Sequence, residues 1–407
     1  MEFVARPLLQ RWAGKLQPLL AINSSRLVLA AGNTIHSYAF GSSPGPEQSS
    51  AVKLECTYTT SAFHPNHDIT GLVSVPDGGH NGTMYLGYAD GSLERITLPA
   101  CHKFPDSSVV LDASLRERYD FHEGSLIESL SASSTHVLSL SSEGTAVFLP
   151  FDSVDPSPEI IHLNTRSWSS YLSTHSSAPY AAFGTSSTSP LSVHTIDTSH
   201  IAAHPSAFLA PSFKPEGASA VYAITSAPPT SPWGGSDQII VSGWYDGIVR
   251  VHDLRSSRRT ISESSTPSLL PTMTFADPWS FEPIYSLACG GGSASHIAAG
   301  SARHSVVAFW DIRASRKGWS VHAPGNDSSP VYSLIVDGSR VFGANESRGF
   351  VIDFGEGVTD ATYPPIAVLE AAPQTRRGRG AWSLPIEGPK KGSPGFYVTT
   401  YKHQNSG

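Results

Sequence analysis

Histidine, carboxylate, cysteine and glycine clusters are where chemistry would first show in this chain. His64, His67 and Asp68, within the run HPNHD, are the densest group of nitrogen and oxygen donors. That spacing could hold zinc, but a zinc centre needs a third firm ligand, and none stands nearby. A loop histidine entering a hydrogen-bonded sheet array is the better reading. Gly290, Gly291 and Gly292 form a glycine run. A phosphate cradle would need a helix N-terminus or a lysine after it, and neither follows. Cys56, Cys101 and Cys289 are odd in number and far apart, which indicates neither a disulfide framework nor a paired-cysteine metal site. No nucleophile elbow, zinc-binding helix, P-loop or dinucleotide fingerprint occurs. The expectation is a protein that is not an enzyme and holds no metal or cofactor. One basic segment, Arg376, Arg377 and Arg379 with Lys390 and Lys391, could touch RNA or serve as a nuclear signal. Only Trp382 stands close by, so a solvated C-terminal loop is preferred.

Composition points to strands. Of 407 residues, 39% are hydrophobic and 15% charged, well below the usual ~25% charged. Coiled coils and highly charged disordered chains are excluded by that figure. Gly 35 and Pro 31 supply turn residues in quantity, and many turns imply many short strands. The net charge of −7 gives no global sign of a nucleic-acid face, and a nucleic-acid partner is not expected. The N-terminus lacks a basic start followed by a long apolar run, so no secretory leader is expected. No run approaches the ~18 apolar residues of a membrane helix. The expected location is cytoplasmic and/or nuclear.

The elements that would position functional side chains come from an internal repeat. QIIVSGWYDGIVRVHDLR (238–255) reads as two strands around a tight Tyr245-Asp246-Gly247 turn. HIAAGSARHSVVAFWDIR (296–313) and TMYLGYADGSLERITL (83–98) repeat the layout. Weaker copies lie at 26–40, 135–151, 180–196 and 339–354. A first-strand signature precedes three hairpins: AVYAI (220–224), PIYSL (283–287) and PVYSL (330–334). The copies end 42 to 58 residues apart, a little above the ~40–45 of a four-stranded blade. The predicted fold is all-β, a seven-bladed β-propeller, because stacked blades bury faces that a lone sheet cannot. A β-sandwich with a second domain is the competing layout, but it would not repeat a turn-plus-strand motif in this way.

These residues resemble the WD-repeat proteins. Trp310-Asp311 matches the family dipeptide, and His252-Asp253 is a variant of it. The resemblance implies a structural hydrogen-bonded array, matched here by Ser242, Asp246 and His252, with Trp310 and Asp311 in the next copy. Residues 277–315 and 328–355 look like the last two blades of the dactylin-type F-box/WD-repeat proteins. The carriers are Asp277-Pro278-Trp279, the Pro-x-Tyr strands, Ala302-Arg303-His304-Ser305 and Asp353-Phe354. That resemblance implies substrate recognition for a cullin–RING ubiquitin ligase. The ~20 residues before the first strand are too few for an F-box, whose three helices need roughly 35.

The expected organisation is an N-terminal extension (1–18, short helix or edge strand), a propeller (19–372) and a C-terminal segment (373–407). Either the extension or residues 396–402 would close the ring. The expected function is a non-enzymatic protein-interaction scaffold, plausibly a ligase substrate-recognition subunit; the alternative is a general assembly platform. Partner binding is expected on the face of the second-to-third-strand turns. Trp244, Tyr245, Arg303, His304 and Arg348 would form an aromatic and cationic patch for an acidic peptide or phosphopeptide. Tyr222, Tyr285 and Tyr332 are repeat-equivalent; they would line a channel or, preferably, pack against the adjacent blade. Arg255 and Arg313, in His252-Asp-Leu-Arg and Trp310-Asp-Ile-Arg, resemble the boxes with which WD-repeat receptors dock on the propeller adaptor of cullin-4 ligases.

Overall fold

A computed structural model of the chain describes residues 3–12, 14–41, 50–60, 67–76, 82–99, 108–151, 158–197, 200–212, 217–228, 236–260, 266–278, 280–315, 317–324, 328–359, 361–364 and 398–402. Among them there are strands, short turns of 3-10 helix and no α-helix. All seven hairpins read from the sequence are antiparallel strand pairs, from Arg26–Ala31 with Thr34–Phe40 to Arg340–Asn345 with Gly349–Asp353.

The strands form six sheets. Most follow the chain as simple meanders, for example Ile127–Ala132, His136–Ser141, Thr145–Pro150 and Glu159–His162. One sheet of ten strands joins two such meanders where Ser186 and Ser187 pair with Ala220 and Ser219. Burial is greatest in the second strand of each meander. Thr83–Tyr88 and Ile239–Trp244 are buried at every position, which explains their continuous rather than alternating apolar runs. The fourth strand Glu159–His162 is largely exposed.

The first strands bring the sheets together. They are Leu19–Ile22, Ile69–Ser74, Ile127–Ala132, Ser167–Ser173, Ser219–Ser226, Ile284–Gly290 and Val331–Asp337. Each contacts the next, and Val331–Asp337 contacts Leu19–Ile22, so the order returns to its start. The arrangement is compatible with a β-propeller. Serine hydroxyls stitch neighbours together: Ser169 Oγ donates to Val221 O at 3.2 Å, and Ser286 Oγ to Val331 O at 2.7 Å. Ser333 Oγ accepts from Leu20 N at 3.2 Å, linking the last sheet to the first.

Both chain ends add strands, at different places. Val4–Pro7 pairs with Gly349–Asp353 and becomes the fourth strand of the last sheet. The short helix expected as one option for the 1–18 extension is absent among the described residues. Pro7 pairs at an edge, where its missing N–H costs no ladder bond, and Leu8 N and Trp12 N instead bond the carbonyls of Gly349 and Ser347. Val398–Lys402 adds a fifth strand outside Lys317–His322, one sheet earlier.

Close approach requires small residues. A Cβ on Gly184 would lie 2.5 Å from Val221 O, and one on Gly300 would lie 2.7 Å from Val331 Cβ. Gly292 has nothing within 4 Å of its own would-be Cβ. Gly184→Ala is therefore expected to lower unfolding stability by about 1–3 kcal/mol through overpacking, whereas Gly292→Ala stays near neutral; urea titration of both variants checks this.

Burial disfavours the charge of several histidines among the described residues, three of them most strongly. Burial lowers His36, His122 and His252 to about 4 from 6.5. Their folded-state values lie below the unfolded one, so the stabilisation is complete above pH 6.5 and is lost as pH falls toward 4. Each contributes up to about 1.4 kcal/mol per pH unit in that window. The urea midpoint is expected to fall between pH 7 and 4.5, and His252→Gln should make that slope shallower.

Candidate functional site

The strongest cluster of accessible side chains arises from a repeated backbone irregularity. In six first strands the pairing with the second strand skips one residue: Thr70, Glu128, Trp168, Tyr222, Tyr285 and Tyr332. A bulge bends the strand and re-aims the extra side chain. Four successive bulge residues are aromatic, and all four are half-buried. Their rings touch in sequence. Trp168 and Tyr222 meet edge to face at 4.9 Å, Tyr222 and Tyr285 stack at 5.1 Å, and Tyr285 and Tyr332 meet edge to face at 6.1 Å.

A carboxylate stands at each end of this arc. At the first end the Arg166 guanidinium carbon lies 3.9 Å from the Trp168 ring centroid, and Nη2 bonds Glu128 Oε2 at 2.8 Å. Burial pushes the Glu128 carboxyl up, and Arg166 pulls it back down. At the other end Glu346 lies near Tyr332; burial first, then this carboxylate, holds the Tyr332 hydroxyl above its ordinary range. Burial does the same for Tyr222. Both phenols therefore remain hydrogen-bond donors at neutral pH.

The bulges open on the same face as the second-to-third-strand turns. Val221, next to Tyr222, pairs with Trp244 at the end of the second strand, and Tyr245 N bonds Ala220 O at 2.9 Å. Tyr245 is 58% exposed, with its ring 6.3 Å from Tyr222. Phe281, four residues before Tyr285, is 80% exposed. The Asp246-Gly247 turn packs beneath that loop, since a Cβ on Gly247 would lie 3.0 Å from the Phe281 carbonyl carbon.

The residues expected from sequence at this face divide. Tyr245, Arg303 and His304 are exposed on turns. Trp244 and Arg348 are not: they are 0% and 3% exposed, so neither can act as a surface anchor. Trp244 ends the second strand instead of starting the turn, which turns it into the core beside Tyr180 and Leu269. Arg348 precedes the third strand Gly349–Asp353, and its amide bonds Asn345 Oδ1 at 3.1 Å. Glu282 occupies both Arg303 and His304: Oε2 accepts from Arg303 N at 2.7 Å, and Oε1 lies 3.4 Å from His304 Nε2. His304 and Ser305 both hold positive φ, at 59° and 50°. Two such non-glycine residues in a row mark a strained turn. It is pinned where the buried Ser305 Oγ donates to Ser329 O at 3.2 Å.

The structural array is real but differently wired from the expected one. Asp246 holds Arg250, with Nη1 at 2.9 Å and Nη2 at 2.7 Å from its two oxygens. The Arg250 guanidinium lies 4.6 Å from the Trp244 ring centroid, and Trp244 Nε1 donates to Ser242 Oγ at 2.9 Å. His252 instead reaches Ala210 O through Nε2 at 3.0 Å. Arg250 takes the joining role assigned to His252, because its longer side chain reaches back to the turn. Trp310 is fully buried, and Asp311 accepts from Arg313 N at 2.9 Å.

The two presumptive docking arginines share one geometry. Arg255 forks onto Asp253 at 2.8 Å through Nε and Nη2, and Arg313 forks onto Asp311 at 3.0 and 2.7 Å. Their side chains are 52% and 53% exposed. The hydrogen bond from each guanidinium holds its aspartate below the usual carboxylate range. Of the histidine cluster, His67 lies 3.2 Å from Asp90, while His64, like Cys101 and the 376–391 basic segment, falls outside the described residues. Among the described residues no three metal-ligating side chains cluster, and no helix is long and apolar enough to cross a membrane.

Sequence reading missed Trp168, Arg166, Glu128 and Phe281. Trp168 carried a signal, since SWSSYL (167–172) places it where VYAITS (221–226) places Tyr222. Compared with known proteins, no family model matches this chain and no curated protein matches it in sequence.

Burial separates the two neighbouring aromatics. Trp244→Ala is expected to cost about 3–5 kcal/mol of stability. Tyr245→Ala should stay within about 0.5 kcal/mol; thermal and urea unfolding of the pair distinguish them.

Proposed function

We propose that the chain is a seven-bladed β-propeller of the WD-repeat type and works as a non-enzymatic protein-interaction scaffold. The cyclic order of first strands supports the blade reading, with Val4–Pro7 completing the last blade. The observation that carries the function is the aromatic arc. Four linked rings, with Tyr245 and Phe281 exposed beside them, offer large apolar area with polar tips on one face. Aromatic side chains of that kind anchor interfaces because they bury much area and lose little rotamer freedom. The occupant fitting this face is an extended peptide segment of a partner protein.

The more specific reading is a substrate-recognition subunit of a cullin–RING ligase, as the dactylin-type resemblance implies. Its support is the matched geometry of the Asp253–Arg255 and Asp311–Arg313 boxes. Each guanidinium is already held by its own aspartate. An adaptor would therefore meet a fixed, half-neutralised fork instead of a free cation. A general assembly platform is the alternative.

One experiment addresses both levels: affinity purification of the full-length protein from its native cell, with mass spectrometry. Tyr222→Ser/Tyr285→Ser is expected to lose at least one stable partner, and Arg255→Ala/Arg313→Ala to lose a cullin and its adaptor while keeping that partner. A partner set unchanged by the tyrosine variant would overturn the face assignment. Absence of any cullin from the wild-type sample would remove the ligase reading and leave the platform.

A further inference from the structure

The arc is built from the same two components at both ends, but its own chain supplies a stacked guanidinium at only one. At the Glu128 end, the Arg166 guanidinium lies over the Trp168 ring and bonds a carboxylate. At the other end Tyr332 meets Tyr285 edge to face, and its neighbour Val331 pairs with Asn345, the residue before Glu346. Glu346 is positioned firmly. Its amide bonds Ser329 Oγ at 3.3 Å, and its carbonyl accepts from Trp12 Nε1 at 2.6 Å. It borders a cleft of about 300 Å³ lined also by Arg11, Trp12, Lys15 and Ser329. The cation on Glu346 is Lys15 at 3.0 Å, whose side chain is 88% exposed. A pair of that kind contributes about 0–1 kcal/mol and is readily exchanged.

We propose that this end of the arc holds an arginine side chain of the bound segment, its guanidinium laid on the Tyr332 ring and bonded to Glu346. The inference rests on the reading of this face as a peptide-binding surface. Charge complementarity selects the occupant. The ring faces carry the negative part of the aromatic quadrupole, and Glu128, Glu282 and Glu346 are the carboxylates around them. An acidic or phosphorylated segment would meet these three carboxylates, with Arg348 buried and Arg303 the one exposed arginine of the expected patch. Arginine is preferred over lysine because its planar fork can stack and bond a carboxylate together, as Arg166 does.

The test uses cellulose-bound dodecapeptide arrays with a fixed central residue in a degenerate neutral background, probed with the full-length protein. Arginine-centred peptides are expected to retain about ten-fold more protein than glutamate- or phosphoserine-centred ones, and more than lysine-centred ones. Glu346→Gln should remove most of that preference. Lys15→Ala, which frees Glu346 from its competitor, should raise retention about two-fold. A merely structural Lys15–Glu346 pair would predict loss in both variants, so a fall with Lys15→Ala contradicts the proposal. Retention of acidic peptides in preference, still lost in Tyr222→Ser/Tyr285→Ser, would overturn the arginine assignment and leave the peptide-binding face. Retention of no peptide overturns the arginine assignment too, and native partners that persist in the tyrosine variant would then overturn the face as well.

Discussion

Everything in this protein depends on how closely one sheet's second strand can approach the next sheet's first strand. The fifth residue of the second strand sets that distance. Gly87, Gly184, Gly243 and Gly300 occupy it, and their missing Cβ atoms leave room for Ile127, Val221, Ile284 and Val331. In the first and last sheets the same place is held by Ala30 and Ala344, both buried. Leu140 is the exception, in the sheet whose neighbour is stitched through Ser129 and Ser131 to Ser170 and Leu172. Once the strands are this close, serine hydroxyls can satisfy carbonyls that the ladder leaves over, and a buried polar group costs little when it is paired.

The same contact explains the aromatic face. A first strand pressed on its neighbour at residues such as Val221 and Ile284 cannot keep regular pairing to its end. It bulges one residue later, and the extra side chain turns out of the ladder. Because the bulge recurs at one register, the displaced side chains fall into a row. Where the row is aromatic, from Trp168 to Tyr332, each ring touches the next, edge to face or stacked. Where it is Glu128 or Thr70 the stack ends. The aromatic row is thus a by-product of packing repeats, with local identity decided by single residues.

The hairpins were legible in the sequence because apolar runs, tight turns and second apolar runs recur, and every one is present as a strand pair. The site was legible only in part. Tyr222, Tyr285 and Tyr332 could be aligned, but a bulge leaves no periodic trace, so their contact with one another and with Trp168 was not readable. Trp244 was misassigned because a one-residue extension of the second strand moves it from turn to core. Arg348 was misassigned because the second-to-third-strand turn is solvent-facing at Arg303 but covered at Arg348, where the N-terminal segment crosses through Leu8 and Trp12. Arg250 carried no signal, since an arginine in an alternating strand reads as a solvated position; its partner Asp246 lies across a turn whose geometry the sequence does not give.

The central claim is that the arc is where a partner protein lies. It is tested most directly by placing a photo-crosslinking benzoylphenylalanine at Tyr332 and, separately, at Ile160, which is 45% exposed on a fourth strand away from the arc. Irradiation in native-cell lysate should give a discrete protein adduct from position 332 and none from position 160. Adducts from position 160 with none from 332 would contradict the account.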